Sequence, residues 1–173
     1  EVIFALSHTQ RNRLFKNYFD PSRIPNYVFR MDNDLMSSKV FGGGSLTGGN
    51  QDDYRYRVNW VATGANRYFY KYSDMVETGN IRNTMIPMLR LGEMYLIAAE
   101  AYAQDGDEAS AKVLLNELQN ARKATFTDGS LESVKKEWFR ETVGDGQRIN
   151  CIKRWGDGLP ARPAQKVAEN IVM

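Results

Sequence analysis

The stretch MLRLGEMYLIAAEAYAQDG, from Met88 to Gly106, constrains the fold more than any other part of the chain. Leu91, Met94, Tyr95, Ala98, Ala101 and Tyr102 recur at three- and four-residue steps, the period of one helical face, and the pattern stops at Gly106, a residue suited to a left-handed helix end. Asp107 is placed to cap a second helix, in which Ala111, Leu114, Leu115, Leu118 and Ala121 form an apolar stripe. So short a turn sets the two helices antiparallel, with small alanines at their crossing. This is the character of a single tetratricopeptide-type repeat. One such pair cannot bury both of its faces, and units of this kind are stable in stacks of about three or more. The pair therefore predicts partner helices, either elsewhere in the fold or in an upstream portion of a longer protein.

Further along, Leu131, Val134, Trp138 and Thr142 share a face, which predicts a third helix over Leu131 to Val143 ahead of Gly144, and a short fourth one covers Gln147 to Trp155. GDGLPARPA, from Gly156 to Ala164, is turn-forming. The front half has a different chemistry. EVIFALSHT is apolar and β-branched over Val2 to Leu6 and predicts a short buried strand. From Gln10 to Thr84 the chain is rich in Tyr, Phe, Arg, Asn, Asp and Gly, with Pro21 and Pro25, a composition of long loops and short strands. YRYRVNW (Tyr54 to Trp60) and NRYFYKY (Asn66 to Tyr72) alternate in part and predict two strands of a hairpin turned at Gly64. VFGGGSLTGGN, from Val40 to Asn50, is glycine-dense but lacks the lysine and hydroxyl ending of a phosphate cradle. The expected architecture is mainly α: a tetratricopeptide-like helix pair plus further helices, with a loop-rich front half containing a few short strands. It divides into a variable loop and short-strand region (1–86), a helical region (87–156) and a tail (157–173).

Composition narrows the function classes. With 42% hydrophobic and 12% aromatic residues, the 173-residue chain has material for a single buried core. Its 23 basic and 21 acidic residues give a net charge of +2, and the basic ones are dispersed, so no clustered face for nucleic acid is expected. A single histidine, His8, and a single cysteine, Cys151, exclude two-histidine zinc sites, cysteine-only metal sites, an internal disulfide and most catalytic triads. No metal or cofactor is expected, and His8 reads as an ordinary, partly exposed side chain at a strand end. No run of about 18 apolar residues is present to span a bilayer. Because the chain opens at Glu1 without a signal peptide, a mature or partial form is expected, with any anchor upstream.

Two motifs carry an identity. In IPMLRLGEMYLIAAEAYAQDGDEASAKVLLNELQNAR, the residues Pro87, Arg90, Glu93, Tyr95, Leu96, Ala99, Glu100 and Ala101, followed by Asn116 and Arg122, resemble the helical signature of the SusD-like (RagB-type) nutrient-binding lipoproteins. In FRETVGDGQRINCIKRWG, the residues Arg140, Glu141, Asp145, Gly146, Arg148, Lys153, Arg154, Trp155 and Gly156 are similar to the closing motif of that family. Asp145 stands where glutamate is usual and Cys151 where aspartate is usual, as in a divergent member. The opening EVIF and the step Asp53 to Arg55 also resemble the C-terminal half of these proteins. The resemblance implies non-catalytic binding of oligosaccharide or polysaccharide at the bacterial outer-membrane surface, docking onto a SusC-type TonB-dependent transporter, and a lipid anchor outside this sequence.

Candidate site residues follow from sugar chemistry. Pyranose rings stack on flat apolar platforms, with amides and charged groups around them for the hydroxyls. Tyr18, Tyr27, Phe29, Tyr54, Tyr56 and Trp60 lie among Asn, Asp, Arg and Gly in the front half, and Tyr27 and Trp60, flanked by Asn26 and Asn59, lead this set. Large aromatics are more often buried than displayed, so each has a competing role in the core. Tyr95, Tyr102, Trp138 and Trp155 fall in helical patterns and read as core. Carboxylate pairs such as Asp52 with Asp53 or Glu137 with Glu141 are the raw material of a glycosidase, but Glu137 and Glu141 have the four-residue spacing usual for helix salt bridges. The motif residues Arg90, Glu93, Glu100, Arg122, Arg140, Glu141, Arg148 and Arg154 read as ion pairs that lock helices together, since arginine forks suit carboxylates. The competing function is a helical-repeat adaptor that binds protein surfaces and has no sugar site. Such an array would continue with helix pairs at a fixed period, and none follows.

Overall fold

The computed structural model describes residues 1–8, 40–42, 52–63, 66–71 and 85–158. The chain divides into two compact units, Glu1–Glu141 and Thr142–Met173. The described residues are mostly helical, as the sequence predicts, with short antiparallel strand pairs.

In the first unit, strand β1 (Val2–Ser7) pairs antiparallel with β4 (Met85–Arg90), opposing Ala5 to Pro87, Leu6 to Ile86 and Ser7 to Met85. The register slips between Val2 and Ala5, leaving a bulged two-stranded ribbon in which Pro87, which has no N–H, is tolerated. The strand is where the sequence predicts it, but it is not buried: Ile3 is 57% and Phe4 52% exposed. A two-stranded ribbon has nothing to cover its faces unless a further layer is laid on it, and none is found among the described residues.

β4 runs directly into helix α2 (Leu91–Gln104), with the Leu91 N–H donating to the Glu1 carbonyl at 2.9 Å. The helix ends as expected at Gly106, whose φ of 87° only glycine adopts without strain, and the Asp107 N–H returns to the Tyr102 carbonyl at 2.9 Å. Helix α3 (Glu108–Arg122) follows, its N-terminus capped by Asp107, which accepts from the Ser110 N–H at 3.0 Å and hydroxyl at 2.6 Å. The two helices pack on each other through Leu96, Ala99, Ala111, Leu115 and Leu118. The stripe expected on the first helix is not the one that is buried. Gly92, Glu93, Leu96, Ala99 and Glu100 face inward, while Leu91, Met94 and Tyr102 stay substantially exposed. The helix is apolar nearly all round, and its inward face includes two glutamates that have polar partners there: Arg90 for Glu93 at 3.5 Å and Gln104 for Glu100 at 3.3 Å.

Helix α4 (Leu131–Thr142) starts from a polar knot in which Asp128 accepts from the hydroxyls of Ser130 at 2.6 Å and Ser133 at 2.5 Å. Val134, Trp138 and Thr142 are buried as predicted, together with Glu137 and Glu141. Ahead of these helices lies a short helix, α1 (Tyr54–Asn59), leading into a hairpin of β2 (Trp60–Thr63) and β3 (Asn66–Phe69). The predicted hairpin is present, but Tyr54 to Asn59 is helical and not a strand. Asp53 caps the turn by accepting from the Arg55 N–H at 2.9 Å, and the neighbours Arg55 and Tyr56 are both buried, which a half-exposed strand does not allow.

In the second unit, helix α5 (Arg148–Trp155) follows Gly144 and Gly146, both left-handed, and is closed by Gly156 at φ 67°. Cys151 and Ile152 are buried, and the Arg154 guanidinium lies over the Trp155 ring at 5.3 Å. The turn-forming run predicted to Ala164 lies beyond residue 158, outside the described residues. Among the described residues no helix is long and apolar enough to cross a membrane, and no group of His, Cys, Asp or Glu is arranged to hold a metal ion.

Candidate functional site

Helix α1 has two faces with opposite chemistry. Its inner face is a charged clamp. Arg55, almost wholly buried, forks onto Asp53, with Nε 3.0 Å from Oδ1 and Nη2 2.8 Å from Oδ2. The remaining nitrogen, Nη1, reaches Glu137 at 2.6 Å and Glu141 at 3.0 Å, one helical turn apart on α4. Glu141 is also gripped by Arg122 of α3, through Nε at 3.2 Å and Nη2 at 2.8 Å, and Arg122 goes on to pair with Glu1. Glu137 takes further bonds from Gln119 at 3.0 Å and Arg140 at 3.1 Å. Gly92 floors this cluster: a β-carbon there would lie 2.9 Å from Glu141 Oε1. The residue types expected to lock the helices do so for Arg122 and Glu141, whereas Arg140 pairs within its own helix, with Glu137. The hub, however, is Arg55, which pattern reasoning left as a minor motif step.

The electrostatics follow from this crowding. Burial alone would raise the Glu141 carboxyl, but the hydrogen bonds from Arg122 and the charges of Arg55, Arg122 and Arg90 outweigh it and lower the group to about 2. Unfolded, the same carboxyl titrates near 4.5. Its contribution is therefore complete above pH 4.5 and is lost as the pH falls toward 2. It amounts to something on the order of 3 kcal/mol. Urea unfolding from neutral pH down to about 2 is expected to show this loss in the native chain and a flatter acid limb in Glu141→Gln; parallel curves would mean that Glu141 does not carry the acid sensitivity.

Both carboxylates weighed as a glycosidase pair on α4 are thus committed to guanidinium groups. Of the aromatic candidates, Tyr56 is fully enclosed against Phe41, with ring centroids 5.2 Å apart, and Trp60 is buried on Phe69 at 4.8 Å. Both rings are spent on interior packing. Tyr54 is on the outer face of α1, 42% exposed, and Asn59 is half-buried at the helix end. Tyr18, Asn26 and Tyr27 lie outside the described residues. The outer face also carries Arg57, whose guanidinium sits 5.6 Å from the centroid of the Tyr54 ring, and Val58, 64% exposed. Arg57 was not singled out from sequence, because only the helical period of α1 separates it from the buried Arg55.

Comparison with known proteins gives this arrangement a family. The model of the SusD family matches residues 22–172. A Bacteroides vulgatus protein of known structure, named for sugar binding, is 31% identical over 70% of this chain and 28% of its own, with a TM-score of 0.55. A SusD-like carbohydrate binding protein from the same species shares the fold at a TM-score of 0.65 and 22% identity, over 96% of this chain and 37% of its own. The chain thus spans about a third of the length of the solved structures it matches. No curated protein sequence matches it. The family match takes in both helical motifs and every member of the charged clamp except Glu1, and on that ground the chain belongs to the SusD family.

Proposed function

We propose that the chain is part of a non-catalytic protein that binds oligosaccharide or polysaccharide at the bacterial outer-membrane surface and passes it to a SusC-type TonB-dependent transporter. In this reading a lipid anchor in another portion of the full-length protein holds it at the cell surface. The observation that carries the reading is the family match over residues 22–172, joined by the sugar-binding name of the relative at 31% identity. Two features of the fold support it. Asp53, Glu137 and Glu141 are tied to arginine, whereas glycoside cleavage needs one carboxyl that holds a proton and a second placed across the sugar bond. The exposed Tyr54 on a firmly anchored helix supplies a platform of the kind that sugar rings stack on. Tyr18, Asn26 and Tyr27, which lie outside the described residues, are candidates from sequence, alongside Asn59 at the end of α1.

Affinity electrophoresis of the full-length parent protein and of this chain through gels loaded with individual polysaccharides tests the reading. Retardation by one polysaccharide, lost in Tyr27→Ala and Tyr54→Ala and without release of reducing sugar on long incubation, is the expected result. A folded parent that no polysaccharide retards removes the sugar reading. It would shift the assignment to protein docking, which has its own support in the apolar stripe of Leu91, Met94, Ile97 and Tyr102 left open on α2.

A further inference from the structure

Tyr54 and Arg57 stand in contrast to their neighbours Arg55 and Tyr56. The same two residue types occur twice within one short helix, and one of each is consumed by the interior. Arg55 is saturated by Asp53, Glu137 and Glu141, and Tyr56 is enclosed on Phe41. That commitment fixes the rotation of α1 and leaves its other face outward. On this face, Tyr54 and Arg57 are three residues apart and therefore on the same side, and the guanidinium covers part of the tyrosine ring at 5.6 Å. Of the two carboxylates that precede the helix, Asp53 is turned inward onto Arg55, and Asp52 is exposed at the turn. An aromatic ring alone serves a neutral sugar. An aromatic ring with a fork of charged donors over part of one face, and its other face left for stacking, serves a sugar that also carries an anion, because a guanidinium pairs with carboxylate or sulfate oxygens through two parallel bonds.

We infer that Tyr54 and Arg57 form a subsite for an anionic sugar unit, in which the Tyr54 ring stacks on the sugar and the Arg57 guanidinium pairs with its carboxylate or sulfate. The inference rests on the glycan-binding reading above and narrows it to a ligand class. Both side chains are exposed, so replacing them leaves the clamp and the core intact.

The test is affinity electrophoresis and calorimetry of the full-length parent protein with polygalacturonate, a sulfated galactan and a neutral galactan, using the native protein, Tyr54→Ala, Arg57→Gln and Arg57→Lys, each checked for native circular dichroism. Binding to one or both anionic polymers, weakened at least about tenfold by Arg57→Gln and by Tyr54→Ala and less by Arg57→Lys, is the expected result. The carboxylated and sulfated arms identify which anion is recognised. Anionic binding that Arg57→Gln leaves unchanged, or binding to neutral polymer alone, overturns the subsite while leaving glycan capture standing. A folded parent that binds no glycan overturns both.

Discussion

Replacing Arg55 with methionine is expected to lower the unfolding free energy by about 3–5 kcal/mol, the range found when one partner of a buried ion pair is removed. The guanidinium serves Asp53, Glu137 and Glu141 together, all of them nearly inaccessible to water. Methionine fills much of the volume but leaves three carboxylates facing one another. Arg122 still holds Glu141 and Arg140 still holds Glu137, so the greatest loss falls on Asp53 and on the capping of α1. At roughly 2–4 °C per kcal/mol for a chain of this size, the melting temperature should fall by about 6–20 °C. Arg57→Met, on the exposed side of the same helix, should change stability by no more than about 0.5 kcal/mol. A loss below about 1 kcal/mol in Arg55→Met would mean that the remaining arginines re-pair the three acids.

The second large effect concerns a residue without a side chain. A β-carbon on Gly129 would collide with the Glu108 carbonyl oxygen and lie 2.7 Å from the Lys112 nitrogen, both backbone atoms in the first turns of α3. Backbone in a helix cannot swing aside as the end of a side chain does. Gly129→Ala must therefore push the link between α3 and α4 off the helix. It would disturb the knot at Asp128, Ser130 and Ser133 from which α4 starts. A cost of roughly 2–4 kcal/mol is expected, read as a lower denaturant midpoint with an unchanged slope. Retention of native stability would show that the link can move away from α3 at little cost.

The sequence was most informative where local chemistry decides. Gly106 and Asp107 set the turn of the helix pair, and Val134, Trp138 and Thr142 gave the inward face of α4, because spacing and capping act over a few residues. It was least informative where burial depends on distant partners. A hydropathy pattern passes over Glu93 and Glu100 when it seeks the buried stripe of α2, yet both face inward. Tyr54 to Asn59 looked like a strand because Arg55 reads as polar, and only its partners on α4, such as Glu141, reveal that an arginine is enclosed there. The candidate platforms divide on the same ground: the helical turn at Asp53 sends Tyr54 out and Tyr56 in, and alternation could not have separated them.

The clamp also bears on how such a protein can diversify. Arg140 of α4 donates to the carbonyl of Val40, and Glu137 and Glu141 of the same helix hold Arg55. The glycine-dense stretch between Val40 and Asp53 is thereby fastened at both ends to one helix, through a backbone carbonyl at one end and the Asp53–Arg55 pair at the other. Closing a longer chain between two fixed ends adds only about 0.6 kcal/mol for each doubling of its length. Insertions and exchanges in this segment are thus cheap so long as the fasteners stay. Selection is free to rewrite the residues between the two fasteners while the fasteners themselves are kept.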